Sequence, residues 1–240
     1  MNITQVTRFK DAAWFPKEET NVVIGGAGGI GSWLTLMLSR AGFMPIVYDF
    51  DTIEEHNIGG QLYGESNVEQ LKVVALKGIV KEFAGTEVDT FNEKYERDSM
   101  SHHYVFSGFD NMKARKDMFE AWKEYVQDWK DMNDLLPEGE HDKNIPIFID
   151  GRLLMEQLTI FCVTPINMEK YEAHLFDDNE VREAPCTLKQ TSHSAAMIAS
   201  HMVGLFTNHM ANNAEQDTDR EVPFKWEHFI PMNLTQQSNE

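Results

Sequence analysis

Short apolar runs alternate along the chain with stretches in which apolar residues return every three or four positions. Residues 21–24 (Asn21-Val22-Val23-Ile24) and 44–48 (Met44-Pro45-Ile46-Val47-Tyr48) read as buried strands, 87–91 alternates as a strand does, and 104–108 is a further short apolar run. Between them, Trp33, Leu34, Leu36, Met37 and Leu38, and later Val68, Leu71, Val74, Ala75, Leu76, Ile79 and Phe83, recur at helical spacing. A long amphipathic helix is predicted from Asp110-Asn111 to about Asn133, and a second, rich in Ala and Met, from Thr191 to Asn212. Strand and helix thus alternate over the first 150 residues, which predicts an α/β fold with a doubly wound, parallel sheet. The strands at 145–150 and 158–163 have no helix between them, so Gly151-Arg152 is expected to turn the chain and antiparallel strands to extend the C-terminal half. Residues 224–230 form a last strand or a partner contact. The expected plan is one domain over 1–240, with an N-terminal arm (1–19), a first half (20–150), a second half (151–234) and a tail (235–240). Residues 216–221 and the last six are polar and expected to be mobile, and the charged loop 137–143 is the best position for insertion or nicking.

Composition narrows the partners. At 42% hydrophobic residues a sizeable core is available, while a net charge of −18 argues against nucleic acid or an anionic membrane surface, both of which need a basic footprint. Two cysteines make no disulfide framework and suit a reducing, cytoplasmic setting. The first residues show no charged start leading into an apolar run, so no signal peptide is expected, and no stretch approaches the ~18 apolar residues of a membrane span.

The chemistry concentrates where the first strand meets the first helix. Gly26-Ala27-Gly28-Gly29-Ile30-Gly31 lies between them, and the second strand ends in Asp49-Phe50-Asp51 about twenty residues later. Glycines in this order permit a sharp turn, let backbone N–H groups approach a phosphate and bring helix close to strand, while the helix N-terminus favours an anion. Asp49 stands at the distance of a ribose-binding acid. A Rossmann-like nucleotide site follows, although glycine-rich turns also arise for local reasons.

The ordered series Gly26-Ala27-Gly28-Gly29-Ile30-Gly31-Ser32, Asp49-Phe50-Asp51, Asn57, Gln61, Lys72 and Asp110-Asn111 with Arg115 resembles the adenylation domain of ubiquitin-activating enzymes and their bacterial ThiF/MoeB relatives. It covers roughly residues 20 to 120, and more loosely extends to about 210. The resemblance implies attack of a C-terminal carboxylate, from a peptide or a small ubiquitin-like or sulfur-carrier protein, on the α-phosphate of ATP, giving an acyl-adenylate and pyrophosphate. It implies that Gly26, Gly28, Gly29 and Gly31 lie under the phosphates and that Asp49 binds ribose, with Asp51, Gln61, Asn111 and Arg115 around the nucleotide. Asn57 would hold the loop or a phosphate, Lys72 would neutralise the triphosphate, and Asp110 would carry Mg²⁺. A homodimer, with an arginine such as Arg8 crossing the interface, is implied as well. The chemistry agrees: a C-terminal carboxylate with a pKa of about 3.5 is already ionised at neutral pH, so the reaction needs alignment and positive charge in place of a general base. Duller readings stand beside these. Asp110 could cap the helix that follows, Lys72 could be a solvated helix residue, and Arg115 could pair with an acid.

The departures from the family are equally specific. Gly60 stands where relatives carry an arginine before the glutamine, removing a phosphate-contacting cation. Arg152, at the carboxyl end of a predicted strand, could restore that charge or pair with Asp150 or Glu156. Two cysteines cannot build the zinc tetrathiolate of many bacterial relatives, so no zinc is expected, and His193, His201 and His209, eight apart, read as polar positions on a partly exposed helix. Cys162 reads as an inert core thiol. Cys186, in a loop with Lys189 nearby, resembles the cysteine that accepts the activated acyl group or sulfur in some relatives. The alternatives are a pseudoenzyme that keeps the fold without turnover, which Gly60 favours, and an NAD-dependent dehydrogenase, in which Asn57, Gln61 and Asp110 would have no task.

Overall fold

The computed structural model describes residues 8–137, 139–177, 191–214 and 219–239. One eight-stranded sheet runs in the order β3-β2-β1-β4-β5-β6-β7-β8. The strands are β1 (Asn21–Gly25), β2 (Met44–Tyr48), β3 (Asp89–Phe91), β4 (Tyr104–Ser107), β5 (Ile147–Leu154), β6 (Gln157–Val163), β7 (Lys225–Phe229) and β8 (Leu234–Ser238). β3, β2, β1, β4 and β5 are parallel, and β6, β7 and β8 continue antiparallel. The helices are α1 (Gly29–Ala41), α2 (Lys72–Ala84), α3 (Met112–Asp134), α4 (Met168–Glu172) and α5 (Ser192–Ala214).

Alternation along each strand splits the core in two. Val22 and Ile24 point to one face, where they meet Leu34, Leu38, Leu76, Val80, Met202 and Phe206 of α1, α2 and α5. Val23 points to the other, with Val105, Phe148 and Phe161, against Met118, Phe119 and Trp122 of α3 and Tyr171 of α4. Strands sealed on both faces read as near-continuous apolar runs, as β1, β2 and β4 do, whereas the edge strand β3 (Asp-Thr-Phe) does not. α1 and α2 stop at Gly42 (φ 101°) and Gly85 (φ 66°), left-handed positions that suit glycine. Switching from β1 outward in both directions opens a crevice at the carboxyl ends of β1 and β4, where open α/β sheets bind ligands.

Several expectations need correction. Gly151-Arg152 does not turn the chain: it continues β5, and the turn is Met155-Glu156, with Met155 at φ 56°. Gly151 is there because α5 lies on it; an added Cβ would sit 2.5 Å from the Met202 sulfur. Residues 235–238 of the expected tail lie in β8, which is paired along its length with β7. Its Leu-Thr-Gln-Gln-Ser sequence carries no apolar alternation because it is an exposed edge. Of 216–221, only 219–221 are described, and the Arg220 backbone makes two hydrogen bonds, 3.1 and 2.8 Å, with the Asn212 side chain. From residue 8 the arm forms turns, and Trp14, stacked on Phe9 at 5.5 Å, packs against the core.

His209 also departs from a partly exposed position. It is buried, its Nε2 lies 2.7 Å from the Ile145 carbonyl, and burial pushes its pKa down to about 4. The fold therefore holds it neutral while the unfolded chain protonates it below about pH 6.5, so stability is lost as pH falls through that window. Between pH 7 and pH 5 the wild type should lose about 2 kcal/mol more than His209→Gln in urea unfolding. Equal losses would show that the imidazole is solvated.

Candidate functional site

A cleft of about 950 Å³ opens at the carboxyl ends of the central strands. Its floor is the turn from β1 into α1. Gly26 adopts φ 87°, and a Cβ on Gly31 would lie 1.8 Å from the Gly26 carbonyl oxygen, so the helix can start this close to the turn only with glycine there. A Cβ on Gly28, by contrast, would meet nothing within 4 Å. Gly28 therefore borders open space beside the first N–H groups of α1, which have no partner within the helix and carry its positive dipole end. A phosphate fits that cradle on both counts.

Asp49 braces the turn from β2. Its Oδ2 accepts the Ala27 N–H at 2.7 Å and its Oδ1 accepts the Asp51 N–H at 2.8 Å. Burial raises its carboxyl above the ordinary value, against the pull of Lys72 and of both N–H donors. With each oxygen accepting one hydrogen bond, it retains lone pairs toward the cleft it lines. Tyr63 donates its hydroxyl to the Ala27 carbonyl at 2.7 Å, fixing the turn from above.

Lys72 is no solvated helix residue. It opens α2, its side chain is 8% exposed, and its ammonium binds Asp51 Oδ2 at 2.7 Å on the cleft wall. Gln61 also lines the cleft, and its Oε1 is buried without a hydrogen-bond partner. Asn57 stays out of the cleft and holds the loop: its side chain accepts the Glu54 N–H at 2.9 Å and its carbonyl accepts the N–H groups of Gly60 and Gln61. Gly60 itself is buried, and its carbonyl accepts Trp33 Nε1 at 3.4 Å.

At the start of α3, the cap is Asn111, whose Oδ1 accepts the Ala114 N–H at 2.9 Å. The capping explanation of Asp110 is thus displaced by one residue, and Asp110 is left exposed on the cleft wall. Among the described residues no group of three or more His, Cys, Asp or Glu could hold a metal by itself.

The buried wall is a shared ion cluster. Asp150, fully buried, receives Arg115 Nη1 on Oδ1 and Arg152 Nε (2.6 Å) and the Tyr171 hydroxyl (2.9 Å) on Oδ2. Burial alone would raise the Asp150 carboxyl, but the two guanidinium groups outweigh it and hold it below the usual value. Arg115 also donates to the carbonyls of Gly151 and Phe109, so its pairing role is realised at the edge of the cleft. Arg152 donates to the His174 carbonyl at 3.0 Å and lies 4.7, 5.7 and 5.9 Å from the ring centres of Phe161, Tyr171 and Phe176. Two cations over one carboxylate leave this wall positive.

Sequence reasoning missed the aromatic side of the cleft. Phe50, 52% exposed, carries Lys94 Nζ 4.9 Å above its ring, and Tyr48, Tyr95 and Phe109 continue that wall. The one available signal was Phe50 itself, an apolar residue between two acids. Arg8 is exposed and is not among the residues lining the cleft. Cys186 lies outside the described residues. Cys162 is buried, and burial pushes its thiol up to about 12, as an inert core position requires. No described helix is long and apolar enough to cross a membrane.

The comparisons bear on the fold and the family. The NEDD8-activating enzyme E1 catalytic subunit of Caenorhabditis elegans is 33% identical over 106 residues, 41% of this chain and 25% of the relative, so the chain corresponds to about a quarter of that protein's length. The structure of Escherichia coli MccB with ATP shares the fold at a TM-score of 0.66 and 13% identity, over 100% of this chain and 67% of that one. Escherichia coli TcdA, a tRNA N6-threonylcarbamoyladenosine dehydratase in complex with ATP, does so at 0.60 and 14%, over 90% of this chain and 95% of its own. The ThiF family model matches residues 17–222, and the chain belongs to that family.

Proposed function

We propose that the chain is an ATP-dependent adenylyltransferase that activates the C-terminal carboxylate of a peptide or small ubiquitin-like or sulfur-carrier protein, releasing pyrophosphate. The observation that carries the reading is the open cradle at Gly28, flanked by Lys72, Asp110 and the positive Arg115–Asp150–Arg152 wall. The names of the relatives support it: one activates NEDD8, one is solved with ATP and with AMPCPP plus MccA, and one is solved with ATP.

In this reading the α1 N-terminus and the glycine turn receive the phosphates, Asp49 meets the ribose hydroxyls, and the base lies toward Phe50. The acceptor carboxylate, ionised at neutral pH, forms a bond to the α-phosphorus as the bond to the bridging oxygen breaks and pyrophosphate departs. No proton must be removed from the nucleophile, so the protein's work is alignment and charge compensation. Lys72 compensates the phosphates, and Arg152 supplies the cation that Gly60 lacks. Asp110 suits Mg²⁺, which commonly takes one or two carboxylates together with phosphate oxygens and when bound neutralises the charge developing on them. A cytoplasmic homodimer with Arg8 reaching the partner's cleft belongs to the same reading.

Mg-ATP at one hundred times its Kd should stabilise the fold by about 2.7 kcal/mol, and NAD should not. Lys72→Ala and Asp110→Asn should each lower ATP–pyrophosphate exchange by roughly 10²-fold, in line with the loss of one charge-stabilising group. Stabilisation by NAD instead of ATP would replace this reading with an oxidoreductase.

A further inference from the structure

The cations around the glycine turn already have carboxylates of their own. Arg115 and Arg152 share Asp150, and Lys72 has Asp51. These pairs differ in how they are held. Asp150 is fully buried between its partners, whereas the Asp51 side chain is 48% exposed and only the ammonium it binds is buried.

The Lys72–Asp51 pair is not needed to place the lysine. The backbone already zips the two segments: Lys72 N–H donates to the Asp51 carbonyl at 2.9 Å, Ile53 N–H to the Gln70 carbonyl at 2.8 Å, and Glu69 N–H to the Ile53 carbonyl at 2.9 Å. Asp49, pinned by two N–H donors, cannot swing away and stays as a fixed negative charge near Lys72. Asp51 is the half-exposed partner, on the solvent side of a cation that lines the same cleft as the glycine turn.

We propose that Asp51 is a counter-ion gate: it occupies the Lys72 ammonium until a phosphate displaces it, and its charge makes binding of a polyphosphate depend on a divalent cation. The inference rests on the reading of the cleft as a triphosphate site. A metal-free polyphosphate must displace Asp51 and then lie against both Asp51 and Asp49, like charges that repel it. The magnesium complex carries less negative charge and meets less of that repulsion. Removing the Asp51 charge should therefore strengthen metal-free binding, the reverse of what loss of a ligand-contacting or merely structural group would do.

Inorganic pyrophosphate titrated calorimetrically into the full chain, with and without Mg²⁺, tests this. Asp51→Asn should bind metal-free pyrophosphate about two- to fivefold tighter than wild type, the range for losing one partly exposed ion-pair competitor. The ratio of magnesium to metal-free affinity should shrink by a similar factor, and Asp51→Ser should behave alike. A gain in affinity cannot come from a misfolded variant. Unchanged or weaker metal-free binding in both variants would overturn the gate. If wild type bound pyrophosphate under neither condition, the triphosphate reading would fail and the gate with it.

Discussion

Gly31→Ala is expected to destabilise the protein by about 3 kcal/mol or more, while Gly28→Ala leaves stability within about 1 kcal/mol and lowers Mg-ATP affinity at least tenfold. The difference lies in what each Cβ would meet. At Gly31 it would lie 1.8 Å from a backbone oxygen, and neither partner is the end of a flexible side chain. Relief requires α1 to move off the turn, which disturbs Leu34 and Leu38 in the core. At Gly28 it would project into open space with no clash, so the fold tolerates it, but that space is the phosphate cradle. Urea unfolding and calorimetric titration on the two variants separate these outcomes. Equal destabilisation would show that Gly28 serves the turn and not a ligand.

Asp150→Asn is expected to cost about 3–5 kcal/mol, because it strands Arg115, 7% exposed, beside Arg152 without the carboxylate that both engage. The penalty is the uncompensated buried charge and not the worth of the ion pair. Asp150→Leu combined with Arg115→Met and Arg152→Met should therefore recover much of the stability in urea unfolding while giving up the positive wall. The carboxyl is held below its ordinary value, so its contribution is fully present above about pH 4 and is lost as pH falls below that. Loss of no more than about 1 kcal/mol in Asp150→Asn would mean that water reaches the cluster.

Most of the parallel half of the sheet was legible because β1, β2 and β4 are sealed on both faces and so read as nearly unbroken apolar runs, with helical periodicity between, while the edge strand β3 showed only alternation. The antiparallel half was harder. β8 borders solvent and needs no apolar pattern, and Gly151 resembled a turn because its role, close approach of Met202, is a contact distant in sequence. In the site, the glycine turn, Asp49 and Lys72 were legible as types at a spacing; Gly26, Gly28, Gly29, Asp49 and Lys72 line the cleft, while Gly31 packs against the Gly26 carbonyl. What the sequence could not reveal was how the more distant acids and cations meet. The Asp150–Arg152 pair, two residues apart on β5, was within reach of the sequence, but Arg115 and Tyr171 come to Asp150 from α3 and α4 through helix packing, and Asn111 takes the cap from Asp110 through one hydrogen bond. The aromatic wall around Phe50 forms from β2, the segment after β3 and the segment after β4, which no local pattern links. The missing arginine at Gly60 was visible from the start, and the structure places two guanidinium groups on the cleft wall.

The most direct test of adenylation is exchange of labelled pyrophosphate into ATP by the purified chain, with Mg²⁺ and a low-molecular-weight protein fraction as acceptor. The account predicts exchange that needs the fraction, disappears when its carboxylates are amidated, and is lost in Lys72→Ala. Cleavage of ATP to ADP and phosphate, or exchange indifferent to amidation, would contradict it.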